Sequence, residues 1–364
     1  MSGRTKIAVV TDAFKGLGDR IVRSMLHNTR QPLTIYITKP SHIGGNYSID
    51  LNDDQETAKA LEESGSEIKY AELDVENQGS IKAFRDHLQG TYGASHGRKP
   101  LSILVNSAAQ EFEDAKRAVD ITYFGSKNLT RLLLPIMKRD GDSRIVNVSV
   151  GGGGASYWIW KKELADRFKL RNLTGKLLDD LMREYLHYAA SGKLVEQGWA
   201  KRRDLKEPKS HLYIIPRMAL AAHTFLLAKA NPGFLINVSG GDSWKFANHV
   251  YGGAITPTFL ALGSLEGATG RYWIAGEAVD WETNKFATQE QSRETGPSIP
   301  AASKSRPSKP ATSKSRPSKP RAPKSRPSKP RASKSKPSKP RASKPKPSSP
   351  VPDPSPEVQA QGEA

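Results

Sequence analysis

Short apolar runs rich in β-branched residues recur through the first 302 residues, and stretches of helical period separate them. KIAVVT (6–11), LTIYIT (33–38), EIKYAELDV (67–75), LSILVNSAA (101–109), SRIVNVSV (143–150), GFLINVSG (233–240) and RYWIAG (271–276) read as strands. Helices are expected over about 18–28, 53–64, 80–93, 113–138 and 211–230. Strands that alternate with helices make a parallel sheet, because each crossover between parallel neighbours needs a dozen or more residues. One large α/β domain over residues 1–290 accounts for this pattern better than two.

The alternation is interrupted once. Between Val150 and His211 about sixty residues contain no strand. This insertion, residues 151–210, holds a polyglycine run (151–154), the aromatic segment YWIW (157–160) and a helical stretch near 174–190. An insertion of that length beside a sheet edge suits a substrate-side subdomain. YWIW either lines an apolar pocket or packs the insertion onto the domain.

Composition separates the C-terminus from the rest. From Ser303 to Pro350 a ten-residue unit repeats, SKSRPSKPAT and its variants, with 17 Lys/Arg and no Asp/Glu. The whole chain carries 56 basic and 37 acidic side chains; residues 1–302 carry only 39 and 34 of them. The strong positive charge therefore belongs to the segment 291–364, not to the folded body. A Pro/Ser/Lys/Arg repeat buries too little apolar surface to offset its ordering entropy, so a disordered basic tail is expected. Such a tail suits a polyanion or an acidic partner, and without aromatics it has no means of stacking on bases. No cysteine occurs, which excludes disulfides and thiolate catalysis. KIAVV is too short for a signal-peptide core and no run approaches a membrane span, so an intracellular, cytoplasmic protein is expected.

The first strand runs into VTDAFKGLG (10–18). Gly16 and Gly18 allow a tight turn and a close approach of backbone to a pyrophosphate, at a helix N-terminus where N–H groups and the dipole favour anions. Asp12 works against this by placing a carboxylate where a phosphate would approach, with Lys15 as partial compensation. The second strand ends in Thr38-Lys39 rather than in an acid. An acid there would hold the ribose hydroxyls of NAD, whereas a cation suits the extra phosphate of NADP. Downstream, Tyr213 and Arg217 stand four residues apart, on one face of a helix.

These segments, with AELDV, LVNSAAQ, SRIVNVSV, FLINVSGGD and TPTFLALGSLEGATGRYW, span about residues 5–282 in the order of the short-chain dehydrogenase/reductases. The sequence resembles the monomeric NADPH-dependent carbonyl-reductase branch of that family. The resemblance implies a Rossmann-type, doubly wound parallel sheet in a single domain, and NADP(H) as cofactor. It also implies a small carbonyl or alcohol substrate, such as a bulky ketone or quinone. A specialised-metabolite pathway of fungal type fits the family's habits, and the insertion, which obstructs dimer formation in that branch, implies a monomer.

In the family a tyrosine is the general acid, a lysine one turn on assists it, a serine holds the carbonyl and an asparagine supports a water relay. Here the acid is Tyr213 and the lysine position is Arg217, which stays cationic but cannot relay protons as lysine does. The serine position falls on Val150, with Ser149 one place earlier and pointing to the opposite face of a regular strand. The asparagine position is Thr122. Ser149 and Thr122 are thus the nearest hydroxyls to the two vacated places. Cofactor contacts carried over are Thr11, Lys15, Gly16, Leu17, Gly18, Thr38, Lys39, Asp74, Asn106, Tyr213 and Arg217. Pro216 is compatible with the first turn of a helix, and His223 on the same helix is expected to pack. With these replacements, two functions remain: a slow or specialised reductase, and a reductase-like binding protein that acts through its tail.

Overall fold

The computed structural model describes residues 5–40, 54–93, 98–108, 114–149, 154–200, 210–241, 252–283 and 285. Val150, the glycines 151–153, Gly241's partner Asp242 and the basic tail lie outside the described residues.

Eight strands form one sheet in the order β3-β2-β1-β4-β5-β6-β7-β8. They are β1 (Lys6–Thr11), β2 (Leu33–Lys39), β3 (Glu67–Glu72), β4 (Leu101–Asn106), β5 (Arg144–Val148), β6 (Leu235–Ser239), β7 (Tyr272–Ile274) and β8 (Glu277–Val279). All neighbours are parallel except β7 and β8, which form a hairpin; the strand expected over 271–276 covers β7 alone, and no strand is expected where β8 lies. Helices α1 (Gly16–Asn28), α2 (Gln55–Ser64) and α3 (Gln78–Leu88) connect the first strands. Asp54 caps α2 by accepting from the Thr57 N–H and also takes Arg23 of α1 at 2.6 Å, which holds its carboxyl down at about 2. The two hydrogen bonds from Thr57 contribute most to that shift.

The alternation of strand side chains divides the core. Ala8, Val10, Ile35, Ile37, Ile103 and Val105 pack with α1 on one face of the sheet, and with Ala254, Leu260 and Ala261 at or in α10 (Ile255–Leu262). Ile7, Val9, Tyr36, Leu104 and Ile145 pack on the other face with α3 and with α5 (Ser126–Leu133). Neighbouring strand residues pointing to opposite faces is the period-2 rule at work.

The single helix expected over 113–138 is broken into α4 (Ala115–Val119), a π-helical turn Asp120–Gly125, α5, and a 3-10 turn Leu134–Ile136. Pro135 ends the regular part, and the π turn inserts an extra residue beside the cleft. The expected helix over 80–93 likewise ends at Leu88 and continues as a π turn, Gln89–Gly93.

In the insertion, α6 (Ala155–Trp158), α7 (Lys162–Asp166) and α8 (Gly175–Ala190) share a core with α9 (Ser210–Ala230). Ile159 is buried in it and Trp158 packs against it, while the Trp160 side chain is 61% exposed. Trp158 and Ile159 thus hold the insertion down. Asp179 of α8 accepts from the Tyr123 hydroxyl at 2.7 Å and pairs with Lys127, latching α8 to the π turn and α5. His223 packs edge-to-face on Tyr123 at 6.2 Å, as expected of a packing residue.

Two expectations about α9 need correction. The helix begins at Ser210, so Pro216 lies in its second turn and deprives the Leu212 carbonyl of its partner. The segment His211–Ala230 is also long and apolar enough to cross a membrane, with a mean hydropathy of 1.2. Its apolarity has another cause: 61% of it is buried, against β5, β6 and α8. It is a core helix.

Candidate active site

A parallel sheet ordered 3-2-1-4-5 reverses its direction of winding between β1 and β4, and the crevice at the C-terminal ends of those strands is the natural ligand site. The structure holds that crevice in shape from below. Thr11 at the end of β1 accepts from the N–H groups of Ser107 at 2.9 Å and Ala108 at 3.0 Å, while the Ser107 hydroxyl donates back to the Thr11 carbonyl. Thr11 therefore spends its side chain on joining the two strand ends. Thr38, its register partner on β2, is buried.

Next comes the glycine loop. Gly16 has φ +61, in the left-handed region, with open space around it. Gly18 is required for a different reason, because a Cβ there would lie 2.6 Å from the Asp12 carbonyl oxygen and 2.7 Å from the Ala13 Cα. Asp12 itself has φ 54, a conformation that Asp tolerates better than most residues. Lys15, at the N-cap of α1, makes no side-chain capping hydrogen bond. Leu17 packs partly into the core of that face. These features fit a bound dinucleotide: a helix N-terminus at the end of β1, glycines where backbone must approach, and the lysines Lys15 and Lys39 nearby.

At the C-terminal end of β2, Lys39 lines a cavity of about 130 Å³ with Phe14, Ile37, Tyr70, Ala71 and Glu72. Sequence reasoning missed Phe14, Tyr70 and Glu72; the aromatic residue within the glycine loop was the available signal. Asp74 accepts from the Glu76 N–H at 2.9 Å, and its own N–H donates to Ser80, so it shapes the turn into α3.

Asn106 is not turned toward the cleft. Its amide donates to Thr130 at 3.0 Å and to Asn147 at 2.6 Å. Asn147 in turn donates to Thr224 at 2.8 Å, and Thr224 to the Leu220 carbonyl at 2.7 Å. This buried polar thread runs from β4 through β5 to α9 and fixes the height of α9 on the sheet. The Asn106 amide nitrogen is thus engaged in a structural link between β4, α5 and β5.

The thread places Tyr213 and Arg217 over the end of β5. Tyr213 is 46% exposed, whereas Arg217 is only 4% exposed. The guanidinium lies 3.5 Å from the centroid of the Tyr213 ring and donates to the Tyr213 carbonyl at 3.0 Å. A cation stacked on a ring face at this distance gains cation–π attraction, which is stronger when desolvated. Burial pushes Arg217 down to about 10, and Tyr213 and Asp12 oppose the shift. Two replaced positions, Asp12 and Arg217, are thus electrostatically coupled across the crevice, and Arg217 stays charged at neutral pH.

The remaining two candidates are buried hydroxyls. The Ser149 hydroxyl donates to the Arg217 carbonyl at 2.9 Å and is buried, so it braces α9. Strand alternation already pointed it away. Thr122 sits in the π turn with its hydroxyl buried and without a hydrogen-bond partner among the described residues.

The fold and this crevice define a dinucleotide-binding α/β oxidoreductase architecture. The short chain dehydrogenase family model matches residues 6–181, and the chain is similar to short-chain dehydrogenases/reductases. It is 27% identical over 299 residues to carbonyl reductase (NADPH) 1 of Sus scrofa, covering 77% of this chain and 96% of that one. It is 26% identical over 321 residues to short-chain dehydrogenase/reductase 1 of Saponaria officinalis, covering 76% and 96%. Among solved structures, menthone neomenthol reductase from Mentha piperita matches with TM-score 0.57 at 22% identity, covering 75% of this chain and 99% of that one. Salutaridine reductase from Papaver somniferum matches with TM-score 0.56 at 20% identity, covering 74% and 99%. These two likenesses concern the fold.

Proposed function

We propose that this chain is an NADPH-dependent reductase of a bulky ketone or quinone, slower than its relatives, with Tyr213 as proton donor. The observation that carries this reading is the head of α9: an accessible phenol whose ring rests on a buried guanidinium. The relatives named for NADPH, together with Lys39 in place of an acid after β2, favour NADPH over NADH. The α1 N-terminus with Gly16, Leu17 and Gly18 would hold the pyrophosphate, with Lys15 and Lys39 toward the phosphates and Asp74 toward the adenine. When bound, the cofactor supplies hydride to the carbonyl carbon.

The chain's own residues do the rest. The Tyr213 hydroxyl gives its proton to the carbonyl oxygen, and the charged Arg217 against the ring stabilises the phenolate left behind. The carbonyl oxygen lacks the hydrogen bond of a neighbouring serine, since Ser149 is spent on α9. A missing donor of that kind costs about 2.7–4 kcal/mol of transition-state stabilisation.

The test is NADPH oxidation by the full chain over a panel of ketones and quinones. Slow turnover that rises about tenfold or more in Arg217→Lys and in Val150→Ser supports the reading. A folded chain that oxidises NADPH with no member of the panel, rescued by neither variant, contradicts it. A second reading then stands, favoured by the redirected Ser149 and the buried Thr122: a reductase-like binding protein. In it the repeats of residues 303–350 contact a polyanion or acidic partner, and binding falls steeply with salt. In both readings α8, packed on α4 and α9, supports a monomer. A role in specialised metabolism and a cytoplasmic location extend the reductase reading.

A further inference from the structure

We infer that Glu72 sets the cofactor preference of this chain: its carboxylate opposes the phosphate that Lys39 would hold, so NADPH and NADH are distinguished only weakly. The inference rests on the proposed dinucleotide site and concerns its selectivity.

Lys39 and Glu72 are register partners, the last pair of the β2–β3 ladder. Neighbouring strands lie about 4.8 Å apart, and paired residues of parallel strands point to the same face. Both side chains line the same small cavity, between Phe14 of the glycine loop and Tyr70 of β3. They sit at the C-terminal ends of their strands, where nucleotide sites form, and β3 is the edge of the sheet. A 2′-phosphate close enough to be attracted by Lys39 is therefore within similar range of a carboxylate, and the two Coulomb interactions largely cancel.

Other groups at this end bind without regard to that phosphate. Phe14 is buried and Tyr70 is 48% exposed, so the cavity offers aromatic walls to any adenosine. Lys15 lies 5.4 Å from the centroid of the Phe14 ring, a cation placed beside the loop and available to the pyrophosphate that NADPH and NADH share. Affinity then comes from the shared parts of the cofactor, and selectivity depends on the Lys39–Glu72 balance.

The test is titration of the full chain with NADPH and with NADH, followed by nicotinamide fluorescence. Adenosine 2′,5′-bisphosphate and adenosine 5′-monophosphate serve as competitors that report the adenosine end alone. Glu72→Gln keeps the shape of the side chain and is exposed, so folding is not at stake. The expected result is a wild-type preference for NADPH below about tenfold, rising by about 3–10-fold in Glu72→Gln through tighter NADPH binding, with NADH unchanged. The bisphosphate should follow NADPH and the monophosphate NADH, and adding Lys39→Gln should remove the gain. A ratio unmoved by Glu72→Gln, or equal tightening of both cofactors, overturns the inference while leaving the dinucleotide site intact. Failure of the folded chain to bind either cofactor overturns both.

Discussion

The two ends of the crevice have diverged by different routes. At the glycine-loop end the requirements fall on the backbone: φ +61 at Gly16, no room for a Cβ at Gly18, and a β1–β4 splay tied by Thr11. The one altered residue there, Asp12, is of a type that accepts the left-handed conformation, so the turn survives a change of charge. At the tyrosine end the requirements fall on individual functional groups, and these have been redirected. Arg217 stacks on the ring, Ser149 braces α9 and Thr122 is enclosed. Each new arrangement is compatible with folding. Backbone requirements resist substitution because breaking them disrupts the loop, whereas functional groups can be reassigned while the fold is kept.

The comparison can be broken most sharply at Tyr213. Tyr213→Phe should lower NADPH oxidation by about 100–1,000-fold and leave cofactor affinity unchanged, because a general acid acts in the transition state. Equal rates in both proteins would remove the tyrosine end from the chemistry. At the other end, Gly18→Val should cost about 3 kcal/mol of stability and abolish cofactor binding, read by thermal unfolding and by titration. Normal folding of that variant would show that the loop has more room than the 2.6 Å approach allows.

Smaller effects sharpen the boundary between site and scaffold. Asp179→Asn should cost about 2 kcal/mol by weakening the latch to Tyr123 and Lys127, with NADPH affinity unchanged. Proteolysis within residues 155–200 would reveal it. A further effect, small near neutrality, concerns pH. Burial, with Lys127 nearby, lowers His223 from 6.5 to about 4, and Asp179 opposes the shift. The folded chain therefore holds His223 neutral while the unfolded chain protonates it first. Stability from this group is present above pH 6.5 and is lost as pH falls toward 4, by about 3 kcal/mol at most. His223→Phe should flatten that part of the stability profile.

The parts legible in the sequence were those with a local signal. Strands β1 to β6 announce themselves by apolar β-branched runs, and Tyr213 with Arg217 by helical spacing. The hairpin of β7 and β8 does not, since Glu277–Val279 is only three residues long. Helix α10 was missed because ITPTFLAL is apolar on nearly all sides and holds Pro257, so it shows no period. The π turn that splits 113–138 leaves no compositional trace. Site relations that depend on tertiary register were also hidden: Asn106 turning to Asn147, Lys39 standing beside Glu72, and Asp12 acting on Arg217 across the crevice.

The central claim is that the nucleotide end still works although the chemical end has changed. Titrating NADPH into the full chain, followed by nicotinamide fluorescence, tests it most directly. Saturable binding in the micromolar range, lost in Gly18→Val and kept in Tyr213→Phe, is the predicted result. A folded chain that shows no binding at several hundred micromolar NADPH would contradict it.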